Sequence, residues 1–341
     1  MLGEGVAEKN ELRTGGVLAA YPGMPKFFTL ENLMQGLSGL WRNLGIPSLS
    51  IAVFLLLWAQ LSSAIVTSLG ELPGPVQVYE EAQGLWRDHM AQMERREAFY
   101  ARQDARNAKL LASDPTAKPV YRQYTGKPTY LDQIFTSLKT VFMGFFIATI
   151  VAVPLGIICG LSKSANTALN PIIQIFKPVS PLAWLPIVTM VVSALYVSDT
   201  PLFPKSFVIS AVTVSLCSLW PTLINTSVGV ASIDRELLNV GKVLRLKLST
   251  QLVRLVLPSS LPFIFTGMRL SLGVGWMVLI AAEMLAQNPG LGKFVWDEFQ
   301  NGSSHSLGRI MVAVFTIGFI GFLLDRMMGM AQSLVTFDGR K

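Results

Sequence analysis

Three ionisable residues sit where an apolar chain has least reason to carry them. Lys177, Arg269 and Glu283 each fall within a long hydrophobic stretch. A charge in such a setting is costly to hold and is a functional suspect by default. Lys177 is followed by Pro178, with Pro181 and Pro186 close behind. Proline removes a backbone donor and breaks a helix. A broken helix with a cation at its end is suited to holding a small anion within a membrane, with snorkelling to the headgroups as the competing use of Lys177. Arg269 and Glu283 are 14 residues apart, about 21 Å along one helix. They share a face but do not pair within one straight helix. A carboxylate repels an anion, so gating or helix pairing suits Glu283, and a salt bridge to another helix suits Arg269. Trp184 and Trp276 are aromatic candidates for lining the same path, with helix packing or interface anchoring as their competing use.

Other chemistry is excluded by residue type and spacing. The two cysteines, Cys159 and Cys217, lie in apolar stretches and form no C-x-x-C pair, which reads as buried, inert thiols. His89 and His305 are the only histidines, and neither has a second metal ligand at helical spacing. No hydrolytic triad and no metal or cofactor site is expected. The chain has no G-x-x-x-x-G-K-[ST] loop, so it does not hold ATP in the phosphate-loop manner and is expected to be non-catalytic.

These candidates need helices to position them, and the composition points to membrane helices. Of 341 residues, 51% are hydrophobic and 14% charged, against about 25% charged in soluble domains. The net charge of +7 does not indicate nucleic acid, because the basic residues are not gathered on a polar domain with binding motifs. Crossing the hydrocarbon core takes about 20 residues. Six stretches qualify: 46–69, the interval from Lys139 to Lys163, 166–197, Ser206 to Ile233, 257–285, and Arg309 to Thr336. The third is interrupted by its prolines. The expected fold is all-α, an integral membrane protein with six transmembrane helices.

Two further segments complete the organisation. Leu30, Leu33, Met34, Leu37, Leu40, Trp41 and Leu44 repeat at three and four, predicting an amphipathic helix in the membrane interface within an N-terminal region 1–45. No signal-peptide pattern precedes it. Residues 70–134 form a hydrophilic insert with nine Lys/Arg and nine Asp/Glu. Its Glu80–Ala112 stretch is rich in good helix formers. The remaining core is 135–336. Its connection 232–256 carries five Lys/Arg against two Asp/Glu. The positive-inside rule places this short basic loop in the cytoplasm with both termini, and the charge-balanced insert outside.

The 232–258 loop carries the most specific signal. It reads Ile233-Asp234-Arg235-Glu236-Leu237-Leu238-Asn239-Val240-Gly241-Lys242-Val243-Leu244-Arg245, and later Arg254-Leu255-Val256-Leu257-Pro258. This resembles the coupling loop of ABC importer permeases of the binding-protein-dependent family. Their pattern is Glu-Ala-Ala, three residues, Gly, nine residues, an aliphatic, one residue, then Leu-Pro. Registered on Leu257-Pro258, the triplet falls on Asn239-Val240-Gly241 and the glycine on Arg245. The acidic residue and the glycine are therefore missing. Without glycine, Arg245 must avoid positive φ or bear its cost, and a straighter helix–turn–helix than the family's is expected. The competing use of such a basic loop is binding to anionic lipid headgroups.

The resemblance extends from about residue 46 to 336. Leu72-Pro73-Gly74-Pro75, Lys177-Pro178-Val179-Ser180-Pro181-Leu182-Ala183-Trp184-Leu185-Pro186, Ala281-Ala282-Glu283-Met284-Leu285 and Gly290-Leu291-Gly292 are similar to the taurine, sulfonate and nitrate branch. Leu238-Asn239-Val240 and Val295-Trp296-Asp297-Glu298 look like its nitrate, bicarbonate and cyanate group, and the insert before Thr125-Gly126-Lys127-Pro128-Thr129-Tyr130 looks like nitrate permeases. The resemblance implies a type I permease in the bacterial inner membrane, acting as a homodimer. It implies two cytoplasmic ATPase subunits, carrying ATP and magnesium, seated on the loop. It implies a periplasmic or lipid-anchored binding protein, with the insert as a docking place or a cap on the dimer. The residues expected to couple are Leu238, Asn239, Val240, Gly241, Leu244, Arg245, Leu257 and Pro258. Nitrate, or nitrite or cyanate, is the expected cargo, with sulfonate, taurine and bicarbonate as alternatives. A passive channel or a membrane scaffold is the alternative class. Gly267, Gly273 and Gly275 allow close helix contact, Gly267 with Ser271 at small-xxx-small spacing.

Overall fold

The computed structural model describes residues 41–67, 70–197, 202–303 and 305–335. The amphipathic stretch at 30–44 lies almost wholly outside them. The chain divides between Leu61 and Ser62 into two compact units. Helix α1, Ile46–Ala64, begins in the first unit after a π-helical turn at Trp41–Gly45. It is uncharged and apolar all round, as a lipid-facing span is.

The second unit opens with a two-residue antiparallel pair, β1 (Val66–Thr67) and β2 (Gly70–Glu71). Helix α2, Pro75–Ser113, follows. Pro75 stands in its first turn, where a missing N–H costs nothing, and the Gln77 side chain accepts from the Gly74 amide at 3.1 Å. At 39 residues it is about 58 Å long. The chain returns extended along it, held by two side-chain amides that act like sheet partners. Gln103 Nε2 donates to the Arg122 carbonyl at 2.8 Å, and the Arg122 amide to Gln103 Oε1 at 2.7 Å. Asn107, 4% exposed, exchanges the same pair of bonds with Val120. The insert is therefore one long helix with a strap, rather than several helices. At its tip the Thr116 hydroxyl and amide hold the Asp114 carboxyl below the usual carboxylate range.

The bundle contains α3 (Tyr130–Leu161), α4 (Lys163–Phe176), α5 (Pro181–Leu195), α6 (Lys205–Ala231), α7 (Arg235–Val243), α8 (Leu248–Gln251), α9 (Leu257–Ala286), α10 (Leu291–Asn301) and α11 (Ser306–Val335). Helix α6 is the axis, packed against α3 on one side and α9 on the other. Small residues every four positions on α3 (Gly144, Ala148, Ala152, Gly156, Gly160) make the first contact. A Cβ at Gly144 would strike Ala211 and Val214, and one at Gly156 would strike Leu223 and Thr226. Such close approach is how membrane helices associate without a hydrophobic drive. On the other side, Gly267 lies against Pro221 and Thr222. Ser271 Oγ accepts from the Thr222 amide at 3.0 Å. The Gly267/Ser271 face, read from sequence as available for close helix contact, packs within this chain.

These contacts fix directions. Residues of α3 and α6 rise together in number, so the two are parallel. Helix α9 runs against α6, and α11 runs against α9, as Trp276 with Ile317 and Arg269 with Asp325 show. One end of the bundle therefore carries the insert, and the other carries α7. Among the described residues five helices are long and apolar enough to cross a membrane. The sixth span is α4 with α5, bent by 101°. It starts where α3 ends, and Ile173 packs on Leu223. Its α5 half then reaches Ile209 and Ala282, near the insert end. The pair joins both ends and counts as one broken span.

Candidate functional site

At the loop end, α7 stands on a small core. Leu238 and Leu252 pack with Val230, Ile233 and Val256. The opposite side is open and apolar: Leu237, Val240 and Leu244 are exposed, with Val243 at 81%. Positions 237, 240 and 244 share one helical face. The turn after α7 is not straightened. Arg245 has φ 48°, the left-handed conformation that glycine adopts without cost. The expectation of a straighter connection is corrected. The Leu244 amide bonds the Val240 carbonyl and the Leu246 amide bonds the Gly241 carbonyl, each at 3.0 Å, so the termination geometry is kept and an arginine bears its strain. Gly241 packs closely under the Leu255 side chain, whose tip would lie 3.0 Å from a Cβ there. Beyond the turn, Leu252–Val256 is a π-helical turn running into Leu257-Pro258. Pro258 has no N–H to give, and the helix accommodates the lost bond by widening there.

The membrane-embedded candidates separate into two groups. Arg269 forms a bidentate pair with Asp325 of α11, at 2.5 and 2.6 Å. Trp276, 4% exposed, donates its indole N–H to the Ile317 carbonyl at 2.9 Å. Glu283 is fully buried. Ser137 of α3 donates to its carboxylate at 2.7 Å, the Gly292 amide at 3.0 Å and Asn288 Nδ2 at 3.4 Å. Gly290 and Gly292 are required beside it, because a Cβ at Gly290 would occupy the carboxylate's place. Glu283 thus ties α9, the 287–292 turn and α3 together. None of these three groups is left free to meet an anion.

Lys177 differs. It caps α4 at the bend, exposed, and its ammonium has no ion pair or hydrogen bond among the described residues. The preceding Phe176 stacks on Trp220 of α6, with ring centroids 6.5 Å apart and planes 6° apart. Trp220 lies 15 residues from Lys205 and 11 from Ala231, about 22 and about 16 Å from the two ends of α6. The bend therefore sits well inside the span. Trp184 contacts Phe176 at 5.6 Å. Sequence reasoning passed over Trp220, whose only local signal was its place before Pro221.

It also passed over the junction of insert and bundle. Arg309, at the start of α11, faces Glu81 at 3.3 Å and Asp88 at 3.6 Å of α2, and Glu298 of α10 at 3.5 Å. His305 Nδ1 lies 2.5 Å from Glu81. Glu81 and Asp88 lie more than 200 positions from His305 and Arg309 in the chain, and no local pattern announces these pairs.

A bundle with a broken span, an apolar loop helix at one end and an anchored insert at the other is a polytopic membrane transport subunit. The comparisons agree. Residues 152–336 match the family model "Binding-protein-dependent transport system inner membrane component". The nitrate import permease protein NrtB of Synechocystis sp. is 32% identical over 85% of this chain and 88% of its own length. The bicarbonate transport system permease protein CmpB of the same organism is 35% identical over 85% and 88%. The inward-facing MetNI methionine ABC transporter shares the fold, with TM-score 0.53 at 11% identity, over 60% of this chain and 95% of that one. The chain belongs to the binding-protein-dependent permease family and is the membrane permease subunit of an ABC importer.

Proposed function

We propose that this chain forms the translocation path for nitrate, as a homodimer driven by two cytoplasmic ATPase subunits. The observation that carries this reading is Lys177, an exposed cation at a helix break, with no ion pair or hydrogen bond among the described residues. A small monovalent anion needs one positive group on its way and no rigid pocket. The relatives named for nitrate import support the same cargo. A second reading is bicarbonate, favoured by the similarly close bicarbonate permease. Nitrite, cyanate, sulfonate and taurine are the remaining anions to be tested.

The exposed face of Leu237, Val240 and Leu244 is where an ATPase subunit seats, as an amphipathic helix lies in a groove. ATP and magnesium belong to that subunit, and its closure moves α9 through the π-helical turn. A soluble or lipid-anchored binding protein delivers the anion at the insert end. Both termini are cytoplasmic, because the basic 232–256 loop then faces inward.

Labelled nitrate uptake by cells lacking the gene, and by the same cells with it restored, tests the reading. ATP-dependent nitrate uptake on restoration is expected. Uptake of bicarbonate or a sulfonate instead replaces the cargo, and uptake that survives ATP depletion with no other energy source overturns the motor. Leu244→Asp is expected to abolish co-purification of the ATPase, and wild-type yield would refute its placement.

A further inference from the structure

We infer that the α4–α5 bend is an oxyanion site in which the indole N–H groups of Trp184 and Trp220 act with the Lys177 ammonium. The inference rests on the proposed transport of nitrate and names the residues that would receive it. Trp184 Nε1 and Trp220 Nε1 are both shielded from solvent and have no hydrogen-bond acceptor. Indole N–H groups in such surroundings usually find one. Trp276, in the same bundle, does so at Ile317. Trp184 and Trp220 are both in ring contact with Phe176, the residue before Lys177.

The backbone of the bend does not supply these donors itself. Pro178 and Pro181 have no N–H. The Leu182 amide is spent on Ser180 Oγ, and the Ala183 and Trp184 amides on the Ser180 carbonyl. The side chains then add one charged donor and two neutral ones. An ammonium and an indole are donor-only groups. Such a set matches an anion that only accepts, which nitrate is. Bicarbonate carries an O–H that these three donors do not meet.

The test uses the complete importer, this chain with its ATPase and binding protein, in proteoliposomes. The readout is labelled nitrate delivered per ATP hydrolysed. Trp184→Phe and Trp220→Phe keep the ring stack and remove only the N–H. Each is expected to lower that ratio by about tenfold or more, the scale of one hydrogen bond to a charged group, with ATPase rate and complex yield unchanged. Lys177→Gln should fall at least as far, and Lys177→Arg should stay near wild type. A wild-type ratio in Lys177→Gln and both tryptophan variants overturns the site while leaving nitrate transport standing. Wild-type protein that delivers no nitrate removes the proposed function, and this site with it. Wild-type delivery of bicarbonate in preference to nitrate overturns the donor-only match.

Discussion

The insert end of the bundle and the α4–α5 bend handle polar groups in opposite ways. At the insert end the buried carboxylate and the arginine facing the insert are tied. Glu283 receives donors from Ser137, Asn288 and Gly292, and Arg309 faces three carboxylates. At the bend, Lys177 has no partner and two indole N–H groups have no acceptor. An unpaired donor shielded from water is destabilising, while a satisfied network rigidifies. The contrast separates a structural clamp, which holds three helices and the insert, from the place where an anion is proposed to bind.

Four substitutions can break or sharpen that division. The largest effect belongs to Glu283→Ala, which strands Ser137, Asn288 and the Gly292 amide around a cavity. A loss of about 3–5 kcal/mol is expected, read as a fall in the unfolding midpoint of the purified protein. Unchanged stability would remove Glu283 from the clamp. Ser137→Ala deletes one donor to the same carboxylate and should cost about 1–3 kcal/mol in that assay. Arg309→Ala should cost about 1 kcal/mol and loosen the insert, seen as faster proteolysis within 75–129. Cleavage at the wild-type rate would show that the strap and helix hold without it. The smallest stability change is expected at Lys177→Gln, within about 0.5 kcal/mol, although transport falls. If stability drops with transport there, the bend is a structural joint and the contrast fails.

The helices were legible because they obey local rules. Long apolar runs of membrane length marked the spans, prolines marked the break in 166–197, and the Leu257-Pro258 step marked the loop. The turn at Arg245 was not legible, since a local rule forbids what the packed loop imposes. The single long helix of the insert was half visible in its composition, but its strap depends on Gln103 and Asn107 reaching residues 13 to 19 positions away. Among the site residues, Lys177 and Glu283 announced themselves as charges in apolar stretches, and only the packing told them apart.

Membrane residence and the number of crossing segments follow from residue types and their order alone, because lipid admits few backbone solutions and demands long apolar runs. Which charges are spent and which remain free was decided only by the tertiary structure. A carboxylate and an ammonium cost much the same to bury wherever they stand in the chain. What distinguishes them is whether distant residues, such as Ser137 for Glu283 and Asp325 for Arg269, arrive within hydrogen-bond reach.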